Sequence, residues 1–267
     1  MDDRKLFSGT ASYYAKYRLG YPQSFFKHII KSFNLDKTSR VLDLGTGTGQ
    51  IAIAIAPYVK EVVAIDPDKE MLNEGERKAR EDNIENITWI KSRAEDVSKD
   101  LGFFSLTTIG TAFHWMENQK VVDIVYDVTI KGGGIAIVSN ISPLTGTESI
   151  QKDEPWVSTI WDTIREFLGE RRRAGNSYYQ VSGERFEDIL TSSKFSRFQT
   201  WNDTYTNTRN IENIVAFLGS TSFAARRLFG NRINEFEKIL TERLLEINPA
   251  GNFKEVVAVE ALLAWKD

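Results

Sequence analysis

The chain has 267 residues, 41% of them hydrophobic and 27% charged, enough to bury a full core in one large domain or in one domain with a substantial insertion. A net charge of −3, a pI near 5.7 and the absence of any long basic run argue against broad electrostatic attachment to nucleic acid or to an anionic membrane. With no cysteine and only His28 and His114, disulfides and thiolate chemistry are excluded, and a histidine-rich metal site is disfavoured.

In chain order, "QSFFKHIIKSF" after Pro22 puts Phe25, Phe26, Ile29, Ile30 and Phe33 at helical spacing. Five strands are expected at "RVLDL" (40–44), "EVVAID" (61–66), "ITWIKS" (87–92), "SLTTIGTAF" (105–113) and "GGIAIVSN" (133–140), the last entered through Gly132-Gly133-Gly134. Helical patterns cover 68–81 and 117–130, and the alternation predicts a parallel sheet covered on both faces. Segments 155–169 and 183–193 read as further helices, the first with Trp156, Ile160, Ile164 and Phe167 on one face. Two strands, 195–208 and 253–266, are separated by more than 40 residues of helical character, including 211–219 and 232–247. A simple hairpin does not need that length, so a lid inserted into the last hairpin is expected.

The run "GTGTGQIAIAIAP" carries two conflicting signals. Ile51 to Ala56 alternates large and small with period two, as in a half-buried strand, whereas Gly45, Gly47 and Gly49 form a ligand-cradling loop of the kind that leads into a helix. The order of the neighbouring strands decides between them. Parallel strands at 40–44 and 61–66 need a crossover of a dozen or so residues, and only 48–59 can supply it. As a helix it places Ile51, Ile55 and Val59 on one face, and its β-branched residues cost only about a few tenths of a kcal/mol each. The segment is read as a helix.

Acids fall where a nucleoside-binding sheet needs them: Asp43 before the glycine loop, Asp66 at the end of the second strand, and Glu95 and Asp96 in "RAEDV" (93–97) after the third. Asp66 lies roughly 20 residues beyond the start of the loop, the spacing of a carboxylate that holds ribose hydroxyls. Dinucleotide loops read G-x-G-x-x-G, but here Gln50 stands in the place of the third glycine, and the lysine of a P-loop is missing. Nearby acids without phosphate-pairing lysines suit a cationic nucleoside cofactor, S-adenosylmethionine.

"VLDLGTGTGQIAIAIA", "VVAIDPDKEML", "ITWIKSRAEDV" and "TTIGTAFHWM" resemble, in order and spacing, the motifs of class I S-adenosylmethionine-dependent methyltransferases. With "YYAKYRLGYP" and "AFHWM", the chain is similar to the small-molecule group that includes trans-aconitate methyltransferase, although Leu19 stands where that group often has proline. The resemblance implies a Rossmann-like, doubly wound, seven-stranded, mostly parallel α/β sheet with its last strand antiparallel and a helical cap formed by insertions. It also implies that Gly45, Thr46, Gly47 and Gly49 line the methionine and ribose, that Asp66 holds the ribose hydroxyls, and that Pro67 and Met71 pack beside the adenine. Ala94 and Glu95 would meet the adenine edge, and Thr111 and Ala112 would face the sulfonium and amino group. Tyr14 and Arg18, on a closing N-terminal segment, would reach the methionine portion, with Arg18 pairing its carboxylate.

The corresponding division is 1–140 for the N-terminal segment and cofactor-binding core, 141–193 for a cap insertion, 194–208 and 253–267 for the last two strands, and 209–252 for a helical lid. The expected reaction moves a methyl group to a small-molecule acceptor by in-line displacement, with a carboxylate or hydroxyl oxygen favoured and an amine second. His114 is a candidate general base or, alternatively, a residue that orients Trp115. Tyr14, Trp115 and Arg226 are the substrate-side candidates, Arg226 because a lid arginine can pair a carboxylate or phosphate. Arg171-Arg172-Arg173 reads as a solvated face, and Trp156, Trp161, Tyr178, Tyr179 and Trp201 as packing residues of which one or two line an apolar acceptor pocket. No metal, nucleic-acid or membrane partner is expected, and no targeting or spanning segment is read, so the expectation is a cytoplasmic enzyme. The alternatives are an NAD-type Rossmann oxidoreductase and a non-catalytic S-adenosylmethionine-binding protein.

Overall fold

The computed structural model describes residues 11–145, 151, 153–174, 177–178 and 185–267. The strands are β1 (Arg40–Leu44), β2 (Glu61–Asp66), β3 (Ile87–Lys91), β4 (Phe104–Gly110), β5 (Thr129–Ile141), the short β6 (Arg173–Ala174) and β7 (Ser177–Tyr178), β8 (Arg197–Asn210) and β9 (Asn252–Trp265). The helices are α1 (Ala11–Tyr17), α2 (Gln23–Ser32), α3 (Gln50–Ile55), α4 (Lys69–Glu81), α5 (Asn118–Val128), α6 (Pro155–Leu168), α7 (Phe186–Thr191), α8 (Ile211–Gly219) and α9 (Ile233–Ile247). Tyr179 and residues 183–184 of the helix expected at 183–193 lie outside the described residues.

Seven strands form one sheet in the order β3-β2-β1-β4-β5-β9-β8, and β6 pairs with β7 separately. The first five are parallel, with Asp43 of β1 beside Ala64 of β2 and Thr108 of β4. The last strand in the chain, β9, runs antiparallel, as expected: Gly132 N–H donates to Lys266 O at 2.7 Å and Lys266 N–H to Gly133 O at 2.9 Å. Strand order reverses between β1 and β4, and ligands of open α/β sheets bind outside the carboxyl ends of the strands at such a switch point.

Residues 51–55, with their conflicting periodicities, form a helix. α3 spans six residues and continues as a 3₁₀ turn over Ala56–Tyr58. Ile51, Ala52, Ile53 and Ile55 are all buried, so the alternation of large and small reflects a helix apolar nearly all round. In α5, burial of Val121, Val122, Val125 and Val128 stabilises by about 1.5 kcal/mol or more per residue, which outweighs the few tenths that each valine loses in helix propensity.

Two strand boundaries differ from expectation for local reasons. β4 stops at Gly110 because Thr111 turns left-handed (φ 51°), and Phe113–Trp115 form a 3₁₀ turn. β5 begins earlier, at Thr129, and absorbs the three glycines into a register shift against β4. A Cβ on Gly134 would lie 2.0 Å from the Ala264 carbonyl oxygen, so only glycine lets β9 approach there.

The chain divides into two compact units, the described residues within Gly20–Asn140, Ser182–Asp203 and Val259–Asp267 and those within Met1–Leu19, Ile141–Val181 and Thr204–Ala258. The first has a core in which Leu42, Leu44, Ile65, Ile109 and Ile137 of the strands meet the valines of α5. The second is mainly helical, with Trp156, Ile160 and Ile164 of α6 packed with Phe217, Phe236, Leu240 and Leu244. Among the described residues no helix is long and apolar enough to cross a membrane, and no group of three or more His, Asp or Glu is placed to hold a metal ion.

Candidate functional site

The loop leaving β1 is built by backbone conformation. Gly45, Gly47 and Gly49 all adopt positive φ (63°, 55° and 81°), a region that costs an L side chain roughly 1–2 kcal/mol per residue. Close packing adds to this, since a Cβ on Gly45 would lie 2.6 Å from the Ala112 Cβ and one on Gly49 2.6 Å from the Trp89 ring. The loop is therefore pressed against the segment that follows β4, where Gly45 and Ala112 come together.

Two carboxylates fasten the loop. Asp43 is buried and accepts from Thr46 Oγ1 (2.5 Å) and Thr108 Oγ1 (2.7 Å), tying β1, the loop and β4 together. Asp66, at the end of β2, accepts the Gly47 N–H at 2.9 Å and the Asp68 N–H at 2.8 Å. Thr46 N–H also donates to Ile65 O at 3.0 Å, so the loop follows the end of β2. Burial pushes both carboxyls from the ordinary 3.8 up to about 6, against the opposing pull of their hydrogen bonds. An ionised carboxylate offers about four lone-pair sites, and each Asp66 oxygen takes one N–H, which leaves capacity on both for a vicinal diol.

Asp68 starts α4 as its N-cap, accepting from Glu70 N–H at 2.8 Å, and this sets buried Met71 on the first turn while Pro67 stays exposed. Ala94 is buried in the core. Glu95, also buried, has both oxygens engaged: Oε1 accepts the Glu117 N–H at 2.9 Å and Oε2 the Arg93 Nε–H at 3.2 Å. Burial alone would raise its pKa, but these donors hold it below the usual value. The side chain thus serves the start of α5.

Beyond β4, Thr111 exchanges a hydrogen bond with the Tyr21 hydroxyl at 3.0 Å, and its N–H donates to Val138 O at 2.8 Å. A left-handed threonine costs on the order of 1–3 kcal/mol, and here two partners hold it. His114 is exposed, with its ring tilted against Trp115 at 4.7 Å between centroids. Tyr21 and Thr108 are not among the residues that the sequence marks for the site. The paired threonines in the otherwise apolar β4 were a signal for the second, whereas nothing local marks the first.

Tyr14, Arg18 and Arg226 belong to the second unit, where each has protein contacts. Arg18 Nε donates to Ser220 Oγ at 3.2 Å, and its guanidinium lies 4.8 Å from the Tyr14 ring centroid and 4.9 Å from that of Phe217. Arg226 pairs with Glu237.

A glycine loop held by a strand-end carboxylate at the switch point of a parallel sheet defines a Rossmann-like nucleoside-binding fold. Residues 41–133 match the family model described as a methyltransferase domain. The uncharacterized methyltransferase YcgJ of Bacillus subtilis is 32% identical over 116 residues, 43% of this chain and 46% of YcgJ, so the chain spans about half the length of that relative. A second relative, the uncharacterized methyltransferase-like C25B8.10 of Schizosaccharomyces pombe, is 24% identical over 222 residues, 83% of this chain and 79% of its own. UbiE of Zymomonas mobilis, a ubiquinone/menaquinone biosynthesis C-methyltransferase, is 27% identical over 169 residues, 59% of this chain and 67% of its own. The crystal structure of YcgJ superposes with a TM-score of 0.56 at 17% identity, over 92% of this chain and 100% of that one. Residues 41–133 thus carry a methyltransferase domain, and the similarity runs to S-adenosylmethionine-dependent methyltransferases. The narrower likeness to the trans-aconitate group is not shown by these relatives.

Proposed function

We propose that the protein moves a methyl group from S-adenosylmethionine to a small-molecule acceptor by direct in-line displacement, with a carboxylate or hydroxyl oxygen favoured over an amine. The observation that carries this reading is Asp66, which accepts the Gly47 N–H at 2.9 Å and retains lone pairs for the two ribose hydroxyls. The donor set fits the cofactor: the buried acids Asp43 and Asp66 stand at the ends of β1 and β2, and the loop has no lysine to meet a pyrophosphate. When bound, S-adenosylmethionine supplies an activated methyl group on a sulfonium.

The protein's own part is binding and orientation. Asp66 holds the ribose, Met71 and Pro67 flank the adenine, residues 45–49 line the methionine and ribose, and Thr111 and Ala112 border the reacting end. Holding two reactants in line contributes ~7–11 kcal/mol, so displacement does not require a base. His114 takes the proton where the acceptor is a hydroxyl or an amine; a carboxylate has none to give. Trp115, beside it, contacts the acceptor.

The test is incubation with methyl-labelled S-adenosylmethionine and a cell extract, followed by mass identification of the labelled product. A labelled small molecule is the expected result. Tight cofactor binding with no transfer across a broad acceptor panel would make the chain a binding protein, and preference for a nicotinamide dinucleotide would make it an oxidoreductase.

Cofactor affinity should depend on pH through Asp66. Without ligand its carboxyl keeps the proton up to about pH 6, whereas accepting two hydroxyls requires the ionised form. Below that pH, binding must expel a proton, and affinity falls by up to about tenfold per pH unit. Above it the dependence levels off. Calorimetry between pH 5 and 8 reads this directly, and Asp66→Asn should flatten the profile.

A further inference from the structure

A cavity of about 400 Å³ in the helical unit includes none of the residues given to the cofactor or to methyl transfer in the proposed function. One side is apolar, formed by Ile164 and Leu168 one turn apart on α6 together with Trp161 and Phe223, whose rings stack with centroids 5.0 Å apart at 27°. The Trp161 indole N–H donates to Pro143 O at 3.2 Å, which fixes the ring. Volume and aromatic lining match cavities that bury a small organic ligand.

The other side is rich in arginine. Among the described residues Arg165, Arg171, Arg172 and Arg173 line the cavity, together with Asp153 and Glu170. Arg165 is matched by Asp162, with Glu170 at 3.9 Å. Arg172 is the residue that joins the two sides. Its Nη2 donates to Thr145 O at 2.7 Å, and its guanidinium carbon lies 4.9 Å from the Phe223 ring centroid and 5.9 Å from that of Trp161. Guanidinium planes stacked on aromatic faces suit carboxylate recognition beside a flat apolar body. In the triplet that reads in sequence as a solvated face, Arg171 is exposed while Arg172 and Arg173 are half-buried beside the cavity.

We propose that this cavity is a binding site for a flat, apolar monoanion, an aromatic or conjugated carboxylate. Its apolar body lies against Trp161, Phe223, Ile164 and Leu168, and its carboxylate is drawn by the arginine side. The inference stands independently of the methyl-transfer reading, because it concerns binding in the absence of S-adenosylmethionine by residues to which the proposed function gives no role.

The test is calorimetric titration of the full chain with 2-naphthoate and with the neutral 2-naphthamide, in the absence of S-adenosylmethionine. Saturable one-to-one binding of the acid is expected, at least tenfold tighter than that of the amide. Leu168→Trp fills the cavity and should weaken naphthoate binding at least tenfold, with a cooperative thermal transition retained. Should that variant fail to fold, Ser158→Trp fills the same space from another wall. Arg171→Gln should narrow the preference for acid over amide. No binding of naphthoate, equal binding of acid and amide, or binding that survives both tryptophan substitutions would overturn the proposal. The titration is read without cofactor, so its failure is distinguishable from failure of the transfer assay.

Discussion

Asp66→Ala is expected to weaken S-adenosylmethionine binding by roughly tenfold or more, measured by calorimetry. The loss has two sources. The ribose hydroxyls lose a charged acceptor, for which a hydrogen bond contributes ~1.5–3 kcal/mol. The Gly47 N–H, now bonded to Asp66 at 2.9 Å, loses the contact that holds the loop on β2. Fold stability should change much less, because the ionised carboxylate is itself costly to bury, as its pKa of about 6 reflects. A folded Asp66→Ala protein with parental affinity would remove this residue from the site.

Glu255→Ala should produce the largest change in stability, on the order of 3–5 kcal/mol by urea denaturation. Glu255 is completely buried and accepts from Arg209 Nε at 2.5 Å, Asn207 Nδ2 at 3.1 Å and the Ser142 hydroxyl. Arg209 is only 2% exposed, and its remaining contacts are a 3.3 Å bond to Tyr17 O and the Phe217 ring at 4.5 Å. Removing the carboxylate strands a guanidinium where water does not reach, and a typical domain has only about 5–15 kcal/mol in hand. Replacing both partners with apolar residues, as in Arg209→Met with Glu255→Leu, should recover much of the loss, because no buried charge is then left. A Glu255→Ala protein within about 1 kcal/mol of the parent would show that the pair is solvated. Tyr205 gives a second readout. Burial, with Glu255 adding to it, pushes its phenol up to about 12, and that value should fall in the variant.

The sheet and its loop were legible because their signals are local. Strand ends at 40–44 and 61–66 agree with the structure to the residue, since short apolar runs bounded by charge and glycine leave few alternatives. Three left-handed backbone positions require three glycines, so the spacing of Gly45, Gly47 and Gly49 already describes the loop. Asp66 was legible for a similar reason, because the crossover length fixes its distance from the loop.

The uses of polar side chains were not legible, because they depend on what lies across space. Glu95 reads as an acid at a ligand edge, yet it accepts from Glu117 N–H, 22 residues away. Tyr21 meets Thr111 across 90 residues, and Arg209 meets Glu255 across 46. The arginine triplet reads as solvated, because a run of like charge carries no information about the aromatic pair, Trp161 and Phe223, beside it.

By itself the sequence determined a mostly parallel sheet of alternating strands and helices, its glycine loop and the acid at the end of β2, because backbone conformation and crossover length are encoded within a few dozen contiguous residues. Only the tertiary structure decided which carboxylates hold protein and which retain capacity for a ligand, where the charged pair is buried, and that an arginine run borders a cavity. Hydrogen bonding and desolvation depend on neighbours brought from distant parts of the chain, and no local pattern specifies them.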